Sequence, residues 1–109
     1  MPSQATQTWH TLIERHGVSA QLVRIGPPEE RYTLKMMRRY GDEQKLEHEV
    51  SQQDAVFVIE DSAIRSSGLT GNPKKNDRIF FDGEYFTVFL ADPKYAFGER
   101  VGWHLRCSG

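Results

Sequence analysis

The sequence predicts a mainly β fold, a small antiparallel barrel of about six strands with a short N-terminal helix and a long polar loop. Period-two apolar runs recur along the chain, which is the signature of strands with one buried face. An Asp82-Gly83 pair sits between two such runs, and Asp-Gly supplies the positive-φ residues of a tight hairpin turn. The runs follow one another through turns and loops rather than through helical crossovers, so the strands must pair antiparallel. At 109 residues the chain makes one domain, residues 1–109, and closing the sheet removes its free edges.

Residues 1–5 read as a loose tail. Over 6–16 the period becomes helical: Trp9, Leu12, Ile13 and His16 fall at i, i+3, i+4 and i+7, and Gly17 follows at a helix-ending position. The hairpin 18–37 comes next. Val18–Ile25 is its first strand, and Pro27 and Pro28 break the ladder. Tyr32, Leu34 and Met36 share one face of its second strand. Over 38–53 eight of sixteen residues are Arg, Asp, Glu, Lys or His. That stretch is too polar to bury itself and too long for a simple connection. It is expected to be a mobile loop that orders against a partner. Residues 54–109 supply the remaining strands. Asp54–Glu60 is the most apolar of them, and Asp61-Ser62 opens a short helical turn. Arg78–Phe81 and Glu84–Ala91 flank the Asp-Gly turn. Asp92-Pro93 ends the second of these, 94–100 is a loop, and Val101, Trp103, Leu105 and Cys107 alternate in a last strand. The expected core is Leu22, Tyr32, Leu34, Phe57, Ile59, Ile79, Phe81, Val88, Trp103 and Leu105.

Composition narrows the function. Hydrophobic residues are 38% and charged residues 27%, with net charge −1, so no strongly basic face for nucleic acid is signalled. The single cysteine, Cys107, allows no intrachain disulfide and no Cys-rich zinc site. No run reaches the roughly 18–20 apolar residues that span a bilayer. Met1–Thr8 lacks an apolar signal region, which places the expected site of synthesis and residence in a cytoplasm.

No arrangement of reactive residues points to catalysis. His10, His16, His48 and His104 show neither HxH nor HExxH spacing. Cys107 has no activating neighbour in sequence. Asp82 and Asp92 are explained by turns, Asp77 opens a strand, and Gly68–Gly71 does not match a phosphate loop. The expectation is a protein that is not an enzyme, with no cofactor and no metal. Lys74, Lys75 and Arg78 lie beside Phe80, Phe81, Tyr85, Phe86 and Phe89, a mixture that small single-strand-binding barrels also use. About half of these aromatics must be core.

The run Asn72-Pro73-Lys74-Lys75-Asn76-Asp77-Arg78-Ile79 leads into Phe81-Asp82-Gly83-Glu84-Tyr85-Phe86-Thr87-Val88. Asp92-Pro93, Gly98 and the closing Trp103–Cys107 strand follow. This layout resembles the small neck proteins of tailed bacteriophages and prophages: the head–tail joining, head-closure and stopper proteins, including the lambda-type joining protein. Asn76-Asp77 stands where those families usually carry Gly-Asp. The resemblance implies a structural virion protein that docks as one copy of a ring between the portal or adaptor and the tail end. It would be found in the virion, and in the host cytoplasm during assembly. Its partners would be other neck proteins and copies of itself, with DNA passing through the channel without sequence recognition and no membrane involved. A tail-completion or terminator role and a nucleic-acid-binding barrel are the alternatives. Candidate interaction residues are Arg38, Arg39, Tyr40, Glu43, Lys45, Leu46, Glu47 and Val50 in the polar loop, with Lys74, Lys75, Tyr95 and Phe97. The near-neutral charge, with no obvious apolar stripe, predicts that the isolated protein is mainly monomeric.

Overall fold

The computed structural model describes residues 4–39 and 55–109. Six antiparallel strands close into a barrel in the order β1-β2-β3-β6-β5-β4. They are β1 (Val18–Arg24), β2 (Glu30–Arg39), β3 (Ala55–Glu60), β4 (Arg78–Phe81), β5 (Glu84–Ala96) and β6 (Glu99–Ser108). Among the described residues two helices accompany the strands, α1 (Gln4–His16) and α2 (Asp61–Ser67). The expected fold class is therefore the observed one.

The register follows the period-two pattern. Leu22 pairs with Tyr32 and with Ile79, Phe57 with Leu105, and Val88 with Cys107. A one-residue slip would turn these residues outward. Eight of the ten expected core residues are buried, while Tyr32 and Phe81 are half-buried and pack against the core from its edge. Met36, Phe86 and Cys107 also lie fully inside. Phe57 meets Phe81 and Phe86 edge-on at ring separations of 5.2 and 5.3 Å, the geometry aromatic quadrupoles favour. Asp82 (φ 53°) and Gly83 (φ 80°) make the expected tight turn.

Several boundaries move. The helix begins at Gln4, inside the expected tail. β2 continues to Arg39, taking Arg38 and Arg39 out of the expected loop, because they pair with Phe57 and Val56 of β3. The rest of that loop lies outside the described residues. The expected loop 94–100 is instead a hairpin: β5 runs through Asp92-Pro93 to Ala96. Pro93 is tolerated because β4 reaches β5 no further than Thr87, so around Pro93 β5 pairs only with β6 and one side needs no donor.

α2 lies across one end of the barrel and adds Ile64 to the core, and Leu69 follows. Gly68 ends it in the left-handed region at φ 96°. α1 packs outside the barrel on β2, β3 and β6. Ile13 is its buried anchor, but Leu12 is 44% exposed and His16 is exposed, so the expected apolar stripe is only partly covered. The Trp9 ring rests on bare backbone at Gly102. A Cβ there would overlap the ring and lie 2.7 Å from the Ile59 carbonyl. Gly102→Ala is expected to cost about 1–3 kcal/mol in denaturant titration, through the strain of overpacking, with Trp9 fluorescence shifting toward that of an exposed indole.

Burial pushes the Cys107 thiol pKa from 9.0 up to about 12. The folded state holds this proton more tightly than the unfolded chain does. Its contribution is thus intact below pH 9.0 and is lost as pH rises toward about 12. Iodoacetamide near pH 8 is expected to leave native Cys107 unmodified and to label it as fast as a free peptide thiol in urea.

Candidate docking surface

Beyond Val88, β5 pairs only with β6, which β3 still flanks as far as Gly102, and past that point the two strands project alone as a short arm over residues 95–100. Irregularities between Val88 and Leu90 and between Lys94 and Tyr95 twist the pair. Phe89 and Leu90, at the first, are each 48% exposed. Two contacts brace the base of the arm. Arg100 Nε donates to Asp61 Oδ1 at 2.8 Å, and Lys94 Nζ sits 2.8 Å from Asp92 Oδ2. The Lys94 hydrogen bond holds the Asp92 carboxyl below its ordinary pKa.

The arm ends in Phe97-Gly98, with φ 53° and 78°. A two-residue turn with both φ values positive favours Asn-Gly. A bulky side chain there costs on the order of 1–2 kcal/mol. Phe97 is also 96% exposed, and Tyr95 beside it 61%. Backbone and solvation both oppose Phe97 in the monomer, the kind of local cost that marks functional positions. Phe97→Asn is expected to raise stability by about 1 kcal/mol, read as a higher denaturation midpoint at unchanged m value.

Lys74 and Lys75 project from the connection between α2 and β4, whose inner side is fastened by Arg24. Arg24 Nε and Nη2 donate to Asp77 Oδ1 and Oδ2 at 3.0 and 2.8 Å. Its remaining donors reach the carbonyls of Thr70 and Asn72, the latter at 2.8 Å. The Asp77 hydrogen bond leads the causes that raise the Arg24 pKa. Asp77 also accepts from the Lys74 amide at 2.9 Å. Glu30 accepts from the Tyr32 hydroxyl at 3.0 Å and from the Thr70 hydroxyl at 3.1 Å. The Tyr32 bond is the first cause lowering the Glu30 pKa.

The structure thus brings Tyr95 and Phe97 together on one projecting tip, and Lys74 and Lys75 together on another connection. Arg38 and Arg39 lie at the end of β2, where the Arg38 guanidinium covers the Phe86 ring at 5.1 Å. Tyr40, Glu43, Lys45, Leu46, Glu47 and Val50 lie outside the described residues. Sequence reasoning missed a shallow groove between α1 and the barrel wall. Its lining includes Trp9, Leu12, Met37 and Val58, with Arg39 and His104 also facing it. Burial, then the neighbouring cations Lys94 and Arg39, lower the His104 pKa, and Asp92 opposes them. The exposed Leu12 on an otherwise packing helix face was the available signal.

A second surface, on β1, β2, β4 and β5, packs the Phe80 ring against Tyr85 at a tilt of 48°, with centroids 4.7 Å apart. Arg31 reaches Gln21 Oε1 at 2.6 Å and the Tyr85 hydroxyl at 3.1 Å. Among the described residues no three of His, Cys, Asp and Glu come together, and no helix is long and apolar enough to cross a membrane. No protein-family model matches the chain, and neither a curated protein nor a solved structure matches it significantly.

Proposed function

We propose that this chain is a neck protein of a tailed bacteriophage or prophage, a ring subunit that joins or closes the head between the portal or adaptor and the tail end. The observation that carries the reading is the projecting β5–β6 arm, which displays Tyr95 and Phe97 from a closed barrel. An exposed aromatic tip on a rigid support is what an interface anchor requires. The layout from Asn72 to Cys107 supplies the family expectation. The reading needs no cofactor and no reaction. Deleting the gene from an inducible prophage is expected to yield DNA-filled heads without tails. Normal tailed particles from the deletion strain would reject the proposal.

The surface with Phe80, Tyr85 and Arg31 favours a second reading, a barrel that binds single-stranded nucleic acid. It requires binding of an oligonucleotide that weakens steeply with salt and is lost in Tyr85→Ala.

A further inference from the structure

Two apolar features of this chain are complementary and formed by different residues. Phe97 stands almost free of the molecule at the arm tip. The groove beside α1 is a cavity of about 280 Å³ walled by Trp9, Leu12, Met37 and Val58. That is smaller than the roughly 300–1,000 Å³ typical of small-molecule sites, and suits one aromatic side chain. Charge agrees with shape. Lys94 and Arg100 at the arm are paired with Asp92 and Asp61, so exposed Glu99 sets the sign beside the tip. Arg39 presents an exposed cation at the groove.

We infer that Phe97 of one copy seats in the α1 groove of the next, with Glu99 against Arg39. The inference rests on the ring reading above and names its copy-to-copy contact. Knob and groove are different patches, so the contact is heterologous. Repetition then closes a ring if the rotation allows, or grows a filament. The burial available to one aromatic predicts a weak contact in solution, consistent with a monomer that assembles only when a partner gathers copies.

Disulfide trapping accumulates a weakly populated contact. Singly substituted A96C and H16C proteins, which keep Phe97 and Leu12 and place each thiol beside them, are mixed at high concentration under mild oxidation. Separate chains exclude closure within one molecule, and buried Cys107 stays silent. The expected result is a heterodimer forming about tenfold faster than with T33C in place of H16C, and about tenfold slower again when Phe97→Ala is added to the A96C protein, each ratio equivalent to ~1.4 kcal/mol. Thr33 is exposed on β2 away from the groove. Equal rates for the two pairs, no effect of Phe97→Ala, or A96C homodimers as the main product would overturn the contact. Particle composition is a separate readout. Trapping without the protein in purified virions removes the neck reading and leaves the contact. Virion incorporation without trapping removes the contact and leaves the reading.

Discussion

Asp77→Ala is expected to destabilise the barrel by about 3–5 kcal/mol, because it strands a buried guanidinium. The carboxylate is 2% exposed and Arg24 is 9% exposed, so water cannot replace the two lost bonds. Asp77 also holds the Lys74 amide, and Arg24 holds the Thr70 and Asn72 carbonyls. Losing the pair therefore releases the whole connection between α2 and β4. Arg24→Lys keeps the charge but not the planar fork, and is expected to recover only part of the stability. The decisive comparison is the double variant Arg24→Met/Asp77→Ala, which removes both charges. It should be more stable than Asp77→Ala alone, since no unpaired ion remains. Urea titration measures both. If Asp77→Ala costs less than about 1 kcal/mol, the pair is solvated and the clamp is not structural.

That pair shows where the sequence stops being informative. Asp77 reads locally as the residue opening a strand, and nothing nearby identifies a counter-ion 53 positions away. The barrel itself was legible because Leu22, Phe57, Ile59, Val88 and Leu105 alternate with the strand period, and alternation alone fixes which face is inside. Tyr32 and Phe81 obey the same period yet stay half-buried because they lie at the edge of the core, and periodicity carries no information about depth. In sequence Asp92-Pro93 reads as a strand end. The tolerance of Pro93 depends on β4 stopping short, a fact about a neighbouring strand. The groove beside α1 was invisible for a similar reason. Trp9 can pack against β6 only because Gly102, 93 positions away, offers no side chain. Tyr95 and Phe97 stand out in sequence as aromatics in a polar stretch, but the strain at Phe97 follows from the turn geometry, which local composition does not specify.

Trp103→Ala is expected to cost about 3–5 kcal/mol, the range for emptying a large aromatic site in a packed core. The indole is 4% exposed and pairs across the sheet with Ile59 and Pro93. Its loss also removes a polar contact. Nε1 donates to Asp61 Oδ1 at 3.1 Å, and the Arg100 guanidinium that grips the same oxygen at 2.8 Å lies 5.1 Å over the ring. Asp61 is itself 3% exposed and receives Arg65 at 2.6 Å. This one carboxylate therefore ties together the start of α2, the base of the arm and the core. Trp103→Phe separates volume from hydrogen bonding. It keeps most of the ring but deprives Asp61 of one donor, and about 1–3 kcal/mol is expected from that loss alone. A cycle of Trp103→Phe with Asp61→Asn should show a coupling of about 0.5–3 kcal/mol. Zero coupling would mean that Trp103 acts only by filling space. Because Arg100 sits in both contacts, Trp103→Phe is also expected to speed amide exchange in the arm from Tyr95 to Arg100. A variant that loses stability with the arm unchanged would disconnect the core from the arm tip.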